Sequence, residues 1–276
     1  MIIQSIVQSV FQPIVRSVID PIIISQGFSP KSLFSSGEQG AWYDPSDLST
    51  MFQDSAGTTP VTGAGQVIGL IQDKSGNANH AFQDIEASKP ILRNVLGLWW
   101  VAFDGVDDYL ETKPLDFTNT NKLSGFFGLR KSNANPTSIF AELSVSSALN
   151  NGTFAIFAPP SFSPSLTFGS RARSDASLDN TSNPAFPIQS DASLSLLIDF
   201  AGFTNVLRVN GNQTSISSAP SAVNFGNNAL YIGRRGGVAQ PFEGRMYGLI
   251  VRGVQSDTAS VLGAEGYMRS KSGVTL

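Results

Sequence analysis

Short apolar or alternating runs closed off by Asn, Gly, Pro and Ser fill most of this chain, and they constrain its fold more than any other feature. Such runs occupy 67–72, 123–129, 138–145, 153–157, 165–171, 194–200, 229–233 and 245–252. Alternation with a period of two presents one strand face to a core, and the bounding residues supply the turns. Asn210-Gly211, set between 206–209 and 213–216, predicts a two-residue hairpin whose turn needs positive φ at both positions. Asn150-Asn151-Gly152 reads the same way. The stretch 99–112 predicts a further hairpin turning at Asp104-Gly105. In it Trp99 or Trp100, Phe103 and Tyr109 face inward, and Asp104, Asp107 and Asp108 crowd the tip.

Roughly a dozen strands with no interleaved helices predict an all-β sandwich or jelly roll. A chain of 276 residues accommodates one large all-β domain or two ordinary ones. Charged residues make up only 14% of it, which fits strands and turns better than charged surface helices. The last part differs, because 256–270 carries an Asp near its start and apolar Ala259, Val261, Leu262, Tyr267 and Met268, with basic Arg269 and Lys271 around its end and then Gly273. That order predicts one short C-terminal amphipathic helix with matched ends.

A net charge of −3 offers no clustered positive field for phosphates, so nucleic acid is not an expected partner. With no Cys, disulfides, thiolate metal sites and Cys nucleophiles are excluded. The sequence has no run of apolar residues long enough for a membrane span, and its start lacks the basic region of a secretory signal, so passage through a secretion gate is not expected.

Residues 1–24 read unlike the rest. Apolar pairs recur at four-residue spacing, among them Ile6-Val7, Val10-Phe11 and Ile14-Val15, with Gln and Ser between. On a helix each step advances the pair by about 40°, giving an apolar stripe that winds around the axis and suits self-association. Pro13 implies a kink, and the β-branched residues weaken an isolated helix. The expectation is a helical docking or oligomerisation arm, hence a homo-oligomer; packing on its own domain, disorder and membrane contact are the other readings. Ser, Gly, Pro and Lys over 25–40 predict a linker, and the body is expected to span 41–276.

Ala41-Trp42-Tyr43-Asp44-Pro45-Ser46-Asp47-Leu48, Asp73-Lys74-Ser75-Gly76-Asn77 and Phe103-Asp104-Gly105-Val106-Asp107-Asp108-Tyr109-Leu110 share a character with two later stretches. These are Leu230-Tyr231-Ile232-Gly233-Arg234 and Phe242-Glu243-Gly244-Arg245-Met246-Tyr247. Together they resemble the laminin G-like, concanavalin A-like jelly-roll domains common in bacteriophage virion proteins. The resemblance covers about 41–276 and implies a concanavalin A-like jelly-roll sandwich that binds sugars, binds proteins or builds structure. It also implies a virion component assembled in the host cytoplasm, a fibre, tail or capsid-decoration protein whose residues 1–24 dock on other virion proteins.

Asp104, Asp107 and Asp108, with Glu111, form a candidate Ca2+ site; the alternative is that they satisfy turn N–H groups, and alternation along a strand would aim Asp107 and Asp108 to opposite faces. No other cofactor is expected. For a host-surface glycan the candidates are Trp42, Tyr43, Arg234 and Arg235 with the Asn227-Asn228 loop, since sugar faces stack on rings and hydroxyls take planar polar groups. The same residues also suit closing the sandwich edge and pairing with surface acids. Enzymatic activity is not expected. His80 is the single histidine and sits in a turn, no Gly-x-Ser-x-Gly elbow is present, and Glu142 and Glu243 stand apart from any paired-acid motif.

Overall fold

The computed structural model describes residues 27–132, 137–160, 167–182, 186–219 and 221–275. Two large antiparallel sheets dominate them. One runs in the order Asn212–Ser217, Thr204–Val209, Asp191–Asp199, Lys122–Lys131, Glu243–Arg252, Leu98–Asp104 and Ile91–Val95, with Gly40–Tyr43 also paired to Glu243–Arg252. The other runs Ser177–Thr181, Gly169–Arg173, Thr153–Phe157, Ile139–Leu143, Leu230–Ile232, Leu110–Thr112, Ala81–Phe82, Leu70–Ile71 and Met51–Phe52. A small pair, Leu115–Asp116 with Asn227–Asn228, lies beside them.

The sheets face one another across a single apolar core, as alternation in the strands requires. Phe127, Phe140, Phe242 and Phe103 form a chain of edge-to-face rings through it, with centroids 5.8, 5.3 and 6.0 Å apart in that order. Lys122–Lys131 and Glu243–Arg252 are buried on both faces, because the helix Thr258–Ser272 covers the far side of the first sheet. There Val261, Ala264 and Met268 pack on Phe126, Ile250 and Trp42.

The helix ends where its sequence says it should. The Asp257 side chain accepts the Ser260 N–H, and Gly273, at φ 73°, closes it in the left-handed region while its N–H bonds the Arg269 carbonyl. Inside the helix Gly263 is required by contact, since a Cβ there would lie 2.3 Å from the Phe28 ring. Asn210 and Gly211 have φ of 49° and 84° and join Thr204–Val209 to Asn212–Ser217, the expected tight hairpin. The jelly-roll sandwich with a C-terminal helix therefore stands; residues 1–24 lie outside the described residues.

Two expectations are corrected, and one strand is added to those expected. The 25–40 stretch is not all linker, because Pro30–Phe34 forms a short helical turn whose Leu33 and Phe34 are buried against the first sheet and the C-terminal helix. Its apolar residues are too few and too irregularly spaced to signal packing locally. Next, 99–112 is no hairpin: Leu98–Asp104 belongs to the first sheet and Leu110–Thr112 to the second, so Asp104–Tyr109 is a corner between sheets. The true hairpin lies one strand earlier, where Leu96 and Gly97, at φ 52° and 85°, join Ile91–Val95 to Leu98–Asp104. Leu in a left-handed turn position carries none of the usual turn signal. Lastly, Ser177–Thr181 is a strand that its polar residues concealed.

Candidate functional site

Where the first sheet's outer face is covered by the helix, the second sheet's outer face is buried over Ile139–Leu143 and Thr153–Phe157 and open only towards its other end. Its register places one row of side chains straight across: Arg171, Ala155, Glu142, Tyr231, Glu111, Phe82 and Leu70 are successive Cα partners. Their chain neighbours Ala141, Ile156, Ile232, Leu110, Ala81 and Ile71 belong to the core, so this row points away from it.

The two halves of the row have different character. Towards Arg171 it is sealed: Glu142 is fully buried, Arg235 pairs with it at 3.0 Å, and the Ser147 N–H donates to its Oε1 at 2.6 Å. Tyr231, beside Glu111, is half-buried, and desolvation followed by the Glu111 carboxylate pushes its phenol above the ordinary range. Towards Leu70 the row opens into a cavity of about 400 Å³, lined by Phe82 and Leu70 with Ser55, Gln72, His80 and Lys113. An apolar floor with a few polar groups converging on it is the make-up of a small-ligand site.

Local sequence builds this cavity. The Asp73 carboxylate accepts N–H groups from Trp42, Ser75 and Asn79, at 2.8, 2.8 and 3.0 Å, and so fixes the 73–80 loop around Gly76, whose φ is 100°. The Asp73 N–H then donates to His80 Nδ1 at 3.0 Å. A backbone N–H can only donate, so the neutral ring carries its proton on Nε2 and presents a fixed donor. Phe82 and Leu70 come from strands at one end of the second sheet, and Lys113 lies just past the strand Leu110–Thr112. The signal for them was weak, because Leu70–Ile71 and Ala81–Phe82 are two-residue strands without measurable alternation.

The residues singled out by sequence fall elsewhere. Trp42 is 8% exposed, T-shaped against Tyr267 with centroids 6.1 Å apart, and capped by the Lys74 ammonium. Tyr43 is fully buried and donates its hydroxyl proton to the Asn79 carbonyl. Both rings are thus spent on packing, one under the C-terminal helix and one in the core, with no face left for a sugar. Arg235 is committed to Glu142, while Arg234 reaches the carbonyls of Asp107 and Val238 at 3.5 and 3.2 Å. Asn227-Asn228 sits in the small separate pair. Ile6, Val7, Val10, Phe11, Ile14 and Val15 lie outside the described residues.

Asp104, Asp107 and Asp108 do converge, with carboxylate oxygens within 4.8 Å of one another, because they occupy a corner and not the alternating strand expected. Their oxygens serve the turn. Asp104 Oδ1 accepts the N–H groups of Val106 and Asp107, Asp108 Oδ2 accepts that of Asp104, and Asp107 Oδ2 accepts the Ser88 hydroxyl. Burial, and then the charges of Asp104 and Asp107, push the Asp108 carboxyl up to about 7.

No protein-family model and no curated protein matches the chain. Solved structures do. Domain 4 of an extracellular arabinanase from Geobacillus stearothermophilus, determined in complex with arabinotriose, aligns with a TM-score of 0.55 at 14% identity, over 83% of this chain and all of that one. The binding domain of botulinum neurotoxin serotype G aligns at 0.51 and 11% identity, over 72% of this chain and 49% of that one. That of Paraclostridial Mosquitocidal Protein 1 aligns at 0.51 and 12%, with the same coverage, so this chain spans about half the length of either. At such identities the likeness concerns architecture: the chain has the antiparallel β-sandwich fold of these domains.

Proposed function

We propose that this chain is a non-catalytic carbohydrate-binding β-sandwich module, with its site in the cavity at the open end of the second sheet. The cavity carries the reading: the Phe82 ring and Leu70 give an apolar floor for a sugar face, and Ser55, Gln72, His80 and Lys113 give hydrogen-bonding groups around it. An arabinanase domain of the same fold, solved with an oligosaccharide bound, supports it. Glu111 and Tyr231 extend the surface one and two strands along the same row.

Two features of the described residues argue against catalysis there. Glycoside hydrolysis uses two carboxyls about 5–10 Å apart with open access, and Glu142, two strands from Glu111, is enclosed by Arg235 and the Ser147 N–H. A Ser-His-Asp site needs a carboxylate on the imidazole, whereas His80 Nδ1 is taken by a backbone N–H.

The module is further proposed to be displayed on a bacteriophage virion, as a homo-oligomer held to other virion proteins by residues 1–24. The four-residue apolar repeat of that segment and the family resemblance of 41–276 support this setting. Deleting 1–24 should abolish incorporation into particles while leaving the sandwich folded; normal incorporation would contradict it. For the binding reading, the full chain should retain oligosaccharides on a glycan array, and Phe82→Ala should lower that retention with an unchanged far-UV spectrum. Equal retention by the variant would move the site away from the cavity.

A further inference from the structure

The cavity's charge is one-sided. Lys113 is its single charged lining residue, lies exposed just past the strand Leu110–Thr112, and among the described residues makes no ion pair. The two acids next to lining residues in the sequence, Asp54 beside Ser55 and Asp73 beside Gln72, accept backbone N–H groups of their own loops, Asp54 those of Thr58 and Thr59 and Asp73 those of Ser75 and Asn79. Glu111 is turned to Tyr231 on the neighbouring part of the row, outside the lining. An ammonium without an ion pair, lining the same cavity as a fixed His80 Nε2–H donor and the Gln72 amide, is complementary to an anion attached to a sugar ring.

Resting on the carbohydrate-binding reading, we propose that the cavity selects glycans bearing a carboxylate over their neutral counterparts. The sugar ring lies on Phe82 and Leu70, and its carboxylate pairs with Lys113 while accepting from His80 Nε2–H. Lys113 is exposed, so the pair's contribution is modest and salt-sensitive, giving a preference on the order of twofold to fivefold.

The test is calorimetric titration of the full chain with a panel of uronic-acid oligosaccharides and the same oligosaccharides after reduction of their carboxyls to alcohols. The expected result is tighter binding of the acidic forms, a preference that shrinks as NaCl is raised, and its collapse towards unity in Lys113→Gln. Lys31→Gln, a charge loss in the short turn Pro30–Phe34, serves as the control and should keep the preference. Equal binding of acidic and reduced forms by the parent protein, or a preference that survives Lys113→Gln, would overturn the selectivity and leave the binding reading standing. Binding of neither form, with no neutral glycan retained on an array, would overturn both.

Discussion

Arg235 and Glu142 meet as a two-pronged ion pair on the second sheet, with Nε 3.0 Å from Oε2 and Nη2 3.1 Å from Oε1, and the carboxylate is fully shut away from water. A charge buried this completely depends on its partner. Arg235→Ala would strand it, and the expected loss is about 3 kcal/mol of stability, read as a lower denaturant midpoint. The double variant Arg235→Met/Glu142→Met should recover most of that loss. A single variant as stable as the parent would show that the pair is not structurally coupled.

Trp42 separates packing from binding. Its ring fills the space between the first sheet and Tyr267, so Trp42→Ala should cost about 3 kcal/mol through the cavity it leaves. Below its lowered melting temperature the variant should bind glycan as the parent does. A folded Trp42→Ala protein without binding would return this ring to the site.

Asp108 makes stability fall as pH rises. Its carboxyl is pushed up to about 7 in the fold against 3.8 unperturbed, so between those values the native state holds a proton that the unfolded chain has lost. The cost of this burial is absent below about 4, grows through that window, and is fully present above about 7. Asp108→Asn, whose amide oxygen can still accept the Asp104 N–H, should raise the melting temperature at pH 8 by a few degrees relative to the parent and change it little at pH 4. The opposite pH order in calorimetry would refute the argument.

At the same corner, the turn's own N–H groups and the Ser88 hydroxyl engage the Asp104, Asp107 and Asp108 carboxylates. A chelator should therefore leave the melting curve unchanged. A drop restored by Ca2+ would make the corner a metal site.

Architecture was legible where local chemistry and tertiary structure agree. Asn210-Gly211 and the capped helix Thr258–Ser272 were readable because turn geometry and capping are decided within a few residues. The corner at Asp104–Tyr109 was not, since an inter-sheet crossing and a hairpin turn use the same Asp-Gly chemistry and differ only in which partners the strands find. The site was hidden for a related reason. Trp42 and Arg235 looked available because nothing local shows that Tyr267 and Glu142 will occupy them. Phe82, His80 and Lys113 looked ordinary because only the sheet register brings them to one cavity.

A crystal structure of the full chain soaked with its best-retained oligosaccharide should show a sugar ring over Phe82, with an oxygen within hydrogen-bond reach of His80 Nε2. A sugar seated on the loops around Arg234 or against the C-terminal helix, with the Phe82 cavity holding only water, would contradict that placement.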